Sequence, residues 1–296
     1  MRTLFFAAAL TCSFANSAHA SAWVNEPGVV RAAASMTHLS SGGQFAPGDA
    51  NGLTGPLCVD PVVAGDRMPY SCVSGGRFVV TQLTVDASIG VLQWLTLDLK
   101  VPVVVDALFE DDVGRTDASG VGDLSLGLRA GRTWSWWAAA GVLHVKAPTG
   151  RRNFQDRDVA IGEGQWDVES GIRVGRSFWP HGWAESHQAL RVRLGNRQTG
   201  IDPGEEWVGA VGVGLTPISQ VGVQGRAEWI LATADATDFG TRNPGRRLFQ
   251  LRAGVFARPT EPLWVEVGVA VPLAGQRWPT GPTWTASVAW RFDPFR

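Results

Sequence analysis

The strongest constraint on this chain is a two-residue alternation of charged and apolar side chains that recurs along its length. In WDVESGIRVGRSF (166–178), Asp167, Glu169, Gly171, Arg173 and Gly175 interleave with Trp166, Val168, Ser170, Ile172 and Val174. Successive side chains of a strand point to opposite faces, so such a segment carries one ionised face and one apolar face. The pattern returns in QLTVDASI (82–89), LTLDLKV (95–101), GDLSLGLRAG (122–131), ALRVRLG (189–195), VGVQGRAEWIL (221–231), FQLRAGVFAR (249–258) and TWTASVAWRF (283–292). Weaker segments at 29–38, 136–146, 184–195, 207–215 and 263–271 bring the expected number of strands to about twelve. No segment reads as a membrane-spanning helix. Beyond the first 25 residues, the longest uncharged run, WVGAVGVGLTPISQVGVQG (207–225), is broken by glycines and by a turn at Thr216-Pro217 into two strands.

The links between these segments alternate in length. Short ones fall at 90–93, 131–135, 179–182, 216–219 and 259–262; long ones fall at 39–76, 105–119, 147–165, 196–204, 233–246 and 274–280. Short turns at one end and long loops at the other are the signature of an outer-membrane barrel, with the turns periplasmic and the loops extracellular. A soluble periplasmic sandwich or ligand-binding barrel shares the alternation, but nothing obliges it to keep its long loops at one end. The fold expected is therefore all-β, a transmembrane antiparallel up-and-down β-barrel.

Unpaired backbone groups are too costly in hydrocarbon, so a β-sheet there must close, apolar face outward. Val168, Ile172 and Val174 then meet lipid. The ionised positions line the lumen: Asp98, Lys100, Arg129, Asp167, Glu169, Arg173, Glu185, Arg191, Arg193, Arg226, Glu228 and Arg252. Gln188 breaks the pattern, a polar residue on the outer face. Trp94, Trp134, Trp166, Trp183, Trp207 and Trp284 fall near strand ends, where amphipathic rings suit the headgroup zones.

The first twenty residues, MRTLFFAAALTCSFANSAHA, have the positive start, short apolar run and Ala-x-Ala close of a cleavable secretory signal, leaving 21–296 as the barrel. Export of a barrel implies the outer membrane of a Gram-negative bacterium, with the lipid bilayer as first partner. Charged residues make up 18% of the chain and the net charge is −1, which gives no basis for nucleic-acid binding. Beyond the signal only Cys58 and Cys72 remain. In an exported protein two cysteines are more often paired than free, and a disulfide here would stabilise by about 3 kcal/mol. It would tether the loop 39–76, which either projects outside or folds into the lumen. The histidines lack metal-ligand spacing and no phosphate-binding loop precedes a helix, so neither metal nor cofactor is expected.

GVGDLSLGLRAG (120–131), VKAPTGRRN (145–153), WDVESGIRVGRSF and ALRVRLGN together resemble the MetA-pathway-of-phenol-degradation family of outer-membrane transporters, over roughly 22–292. The resemblance implies a barrel inserted by the outer-membrane machinery, which reads an aromatic residue near the end. Here Phe292 or Phe295 would serve, since Arg296 is last. It also implies a channel or transporter for small molecules. Arg173, Arg191, Arg193, Arg226 and Arg252 fall on neighbouring strands, a cationic stripe suited to anionic solutes, including hydrophobic or aromatic ones. Two other readings stay open. The lumen charges only brace a barrel without an open pore, structural or ligand-binding. Or His38 and Ser40, two apart at the outer rim, belong to an acyl hydrolase, for which no third orienting group is evident.

Overall fold

The computed structural model describes residues 4–5, 22–45, 54–55, 57–61, 71–73, 76–111, 114–150, 161–178, 181–195, 201–218, 220–237, 242–243 and 245–293. One antiparallel sheet of thirteen strands dominates it. They are β1 (Val30–Ser41), β2 (Arg77–Leu92), β3 (Leu95–Asp111), β4 (Gly114–Val121), β5 (Leu124–Trp134), β6 (Trp137–Ala147), β7 (Asp167–Ser177), β8 (Gly182–Arg193), β9 (Glu206–Ile218), β10 (Val221–Ala232), β11 (Arg247–Thr260), β12 (Leu263–Gln276) and β13 (Thr283–Phe292). Consecutive strands pair in order, save that β4 and β5 both pair with β3 and not with each other, and β13 returns to pair with β1 from Val30–Phe292 to Leu39–Thr283. The sheet is a closed barrel with no open edge in its membrane zone.

β4 and β5 act as one stave. Val121 faces Val103 and Ser125 faces Lys100, so four steps on one side match three on β3. The extra residue is a bulge at Gly122–Asp123, where the Gly122 amide donates to the Pro102 carbonyl at 2.8 Å. Counted this way the barrel has twelve staves. The segment 105–119, expected as a long loop, is instead a hairpin closed at Asp111–Gly114. Its acidic residues read as a turn, but a ladder standing beyond the bilayer accepts charge on both faces. Most of 39–76, including the question of whether it projects or folds inward, lies outside the described residues, as do residues 1–3 and 6–21 of the expected signal.

Alternation decides which side chains meet lipid. Ile172, Leu126 and Leu190 are 59%, 64% and 63% exposed, while Asp167, Arg129 and Glu228 on intervening positions are buried. Arg176, on the outer side, lies beside the turn with its guanidinium over the rings of Trp137 and Phe178, 5.1 and 5.4 Å from their centroids. Charge near an interface costs far less than the roughly 2–4 kcal/mol at mid-bilayer. Gln188 also has an explanation: its amide oxygen accepts from the Trp207 indole at 3.1 Å and its amide nitrogen lies 3.4 Å from the Ser186 hydroxyl. Trp94, Trp134, Trp166, Trp207 and Trp284 are exposed at strand ends. Trp183 departs from that expectation. It is the register partner of Gly214, and its ring lies on the inner side where a Gly214 Cβ would be.

Candidate functional site

The candidate site is the inner wall, which changes character from the loop end to the turn end. At the loop end a dense ion-pair network joins four staves and two loops. Arg193 reaches Glu163 at 2.8 Å, Glu206 at 3.1 Å and Asp167 at 3.7 Å. Arg191 bridges Glu169 and Glu206, both at 2.7 Å. Lys146 bonds Asp167 at 2.5 Å and also Glu163. Arg246, from the loop before β11, adds Glu206 at 2.7 Å. Asp123, at the bulge, holds the neighbouring loop by accepting from the amides of Gly150 at 2.8 Å and Glu163 at 2.7 Å. That loop carries Glu163 into the network. Burial works to raise the Glu163 carboxyl, but Arg193, Lys146 and Arg246 hold it well below the usual carboxylate range.

Further in, the pairs are shorter chains. Arg129, 2% exposed, bonds Asp98 at 3.0 Å. His144 stands between Asp98 and Glu169, at 3.9 and 3.5 Å. Arg226 lies 3.4 Å from both Glu185 and Glu228, and Arg252 lies 3.5 Å from Glu228. Gln250 donates to Glu228 at 2.5 Å, and Gln224 to Glu266 at 2.5 Å. Lys100 stands opposite Asp86 in the ladder. The arginine stripe expected from the sequence is thus largely neutralised by carboxylates on the same and adjacent staves. Arg173 differs: it is 6% exposed, yet it makes no ion pair or hydrogen bond among the described residues. Arg31, half-buried near the turn end, shares that property.

At the turn end the chain enters its own barrel. Residues 22–29 run inside the mouth. The Asn25 amide donates to Thr96 Oγ1 at 2.8 Å and its side-chain nitrogen to Ser88 Oγ at 2.9 Å. Gly28 donates to the Gly90 carbonyl at 2.8 Å, and Gly90 returns a bond to Val29 at 3.0 Å. The approach is so close that a Cβ on Gly90 would stand 2.0 Å from the Glu26 carbonyl oxygen. Trp23 lays its ring where a Gly175 Cβ would be. Trp183 covers Gly214, and Phe256 stacks on Trp264 with centroids 4.2 Å apart. Toward the loops the inner wall thus carries the ion-pair network beside two buried apolar clusters, one with Phe78 and Phe109 and one with Ile230 and Trp278; toward the turns it carries these aromatic rings together with Arg31, Arg258 and Arg291.

The structure brings Asp167, Glu169, Arg191 and Arg193 into one network, and Glu185, Arg226, Glu228 and Arg252 into another. It adds Glu163, Glu206 and Arg246, which the sequence reading did not single out. Glu206 was within reach, since extending β9 by one residue places it on the same side as Val208 and Ala210. Glu163 and Arg246 lie in loops without periodicity. His38 is exposed at the loop end of β1, its Nδ1 3.0 Å from the Thr81 hydroxyl. Cys58 and Cys72 are register partners in a short ladder between Leu57–Pro61 and Ser71–Val73.

Among solved structures, the COG4313 outer membrane channel from Pseudomonas putida F1 matches with a TM-score of 0.72 at 14% identity, over 91% of this chain and 97% of that one. The KdgM porin in complex with disordered oligogalacturonate matches at 0.49 and 5% identity, over 88% and 99% of the two chains. The β domain of the Bordetella autotransporter BrkA matches at 0.47 and 14%, over 90% and 100%. The first of these shows the outer-membrane barrel fold. A search of curated proteins finds no match. With the barrel closed and its ionised face inward, residues 73–289 match the family described as "Putative MetA-pathway of phenol degradation", and the chain belongs to that family.

Proposed function

We propose that the protein is an outer-membrane channel for small anionic solutes with apolar or aromatic bodies, which pass through the barrel lumen. The observation that carries the reading is an inner wall that sets paired charges and aromatic rings along one lumen. Paired charges near the loops suit hydrated ions, and Trp23, Trp183, Phe256 and Trp264 near the turns suit the apolar part of the same molecule. The fold shared with an outer-membrane channel supports it. In this reading the signal is removed after Ala20, the insertion machinery places the barrel in the outer membrane of a Gram-negative cell, and Cys58 and Cys72 are joined.

The test is reconstitution into liposomes and planar bilayers. Swelling should be faster with aromatic acids and short fatty acids than with sugars of similar size, and the reversal potential should show anion preference. Cation preference, or swelling indifferent to charge, would overturn the solute class. Absence of any conductance from correctly folded protein would favour the second reading, a braced barrel without an open pore, for which the density of ion pairs and the segment 22–29 inside the mouth argue. The hydrolase reading has less support, since the polar partner of His38 is a threonine hydroxyl and not a carboxylate.

A further inference from the structure

We propose that Arg173 anchors a binding site for a small monocarboxylate with an apolar body, in the turn-end half of the lumen. This rests on reading the lumen as the solute's path. Burying a guanidinium without a partner costs several kcal/mol, and packing alone gives no return for it. The charged groups acting most strongly on Arg173 are Arg129, Asp98, Glu169 and Glu185. Each carboxylate of that set is committed elsewhere: Asp98 to Arg129 at 3.0 Å, Glu169 to Arg191 at 2.7 Å and Glu185 to Arg226 at 3.4 Å. Within that cluster Arg173 is left without an ion pair or hydrogen bond of its own, and its charge is planar and forked, the shape that takes a carboxylate through two parallel bonds.

The surroundings specify the rest of the ligand. Arg173 stands opposite Ala140 on one side and His187 on the other. Ala138, Ala140 and Ala189 are buried on the neighbouring inner positions, and Gly175 follows on the same face with the Trp23 ring against it. The alanines offer the guanidinium no polar group, and the indole offers an apolar surface. A dianion would bring a second negative charge toward Asp98, Glu169 and Glu185. A neutral solute would leave the guanidinium unanswered. A single carboxylate on a short alkyl or ring body satisfies both conditions.

The experiment is equilibrium binding of labelled hexanoate to the full-length, folded barrel in detergent, with acetate and 1-hexanol as comparison probes. Folding of each variant is verified by heat-modifiable gel migration. Hexanoate should bind the wild type, and Arg173→Gln should weaken it at least tenfold. Arg173→Lys should fall between, because an ammonium keeps the charge and loses the fork. Ala140→Leu should weaken hexanoate more than acetate. Equal hexanoate affinity in wild type and Arg173→Gln, no binding to the wild type, or hexanol binding as tightly as hexanoate would each overturn the site. If Arg173→Gln fails to fold, Arg173→Lys and Ala140→Leu carry the test. Conductance in bilayers is recorded separately. A barrel that binds hexanoate without conducting keeps the site and loses the channel; one that conducts without binding keeps the channel and loses the site.

Discussion

Arg226 and Arg252 stand directly opposite each other across β10 and β11, two like charges in register on the inner wall. Like charges so placed destabilise a ladder unless something answers them. Glu228 does so, fully buried, with Oε1 3.4 Å from Arg226 Nε and 3.5 Å from Arg252 Nε. Glu228→Gln should therefore destabilise the barrel by about 3 kcal/mol, the lower part of the range for breaking a buried pair. The measurement is urea-induced unfolding in detergent, followed by heat-modifiable migration. Adding Arg252→Gln to Glu228→Gln should restore part of the loss. A double variant no more stable than the single one would show that the opposition of the two arginines is not what Glu228 relieves.

Glu163 gives a prediction in pH. Its carboxyl is held below its ordinary value of 4.5 against the effect of burial, chiefly by Arg193, Lys146 and Arg246. A carboxylate with a depressed folded-state pKa contributes stability that is complete above the ordinary value and is lost as pH falls through the depressed one. Wild type and Glu163→Gln should thus differ by a constant unfolding midpoint from about pH 8 down to about pH 5, and the gap should narrow below that. A gap that opens or closes near neutral pH would assign the effect to another group.

Much of this architecture was legible in a two-residue period, and the reason is physical. Lipid enforces the alternation at every position it touches, so Arg129, Arg173 and Glu228 could be placed on the inner side from Leu128, Ile172 and Trp229 beside them. That constraint stops at the bilayer's edge. The hairpin of β3 and β4 therefore reads as a loop in the sequence, and Glu163 and Arg246 carry no periodic signal, because in water nothing sorts their neighbours. Trp183 was assigned to a headgroup zone from its position at a strand end. Its parity with Glu185 and His187 already placed it inside, and the bare surface of Gly214 makes room for its ring. Pairing is a further matter. A period assigns a face but not a partner, so by sequence the stripe of arginines is cationic, whereas in the fold Glu169, Glu185, Glu206 and Glu228 lie against it.

Cys58 and Cys72 face each other in an antiparallel ladder. Register partners in such a ladder have Cα atoms roughly 4.5–5.5 Å apart, within the range a disulfide spans. The expected outcome is that protein purified from the outer membrane resists thiol alkylation until reduced. Reduction should leave the barrel folded, because the ladder lies between β1 and β2 in sequence and not among the staves. Alkylation at both cysteines without reductant would exclude the bond.

Gly90 controls the segment inside the mouth. Any side chain there would meet the Glu26 carbonyl oxygen at 2.0 Å and the Asn25 carbonyl oxygen at 2.6 Å, backbone atoms that cannot rotate away. Gly90→Val should therefore expel residues 25–28, breaking the Gly28–Gly90 and Gly90–Val29 bonds and releasing Asn25 from Thr96 and Ser88. Gly225→Val is the control, since nothing lies within 4 Å of its added Cβ. Both variants should assemble as barrels, with β2 still paired on either side of position 90. Single-channel conductance should rise in Gly90→Val and stay at the wild-type value in Gly225→Val. Fluorescence of Trp23, isolated by a spectrum taken against Trp23→Phe in each background, should become accessible to aqueous iodide only in Gly90→Val. If Trp23 becomes accessible but conductance does not change, the segment lies beside the conducting path and does not narrow it.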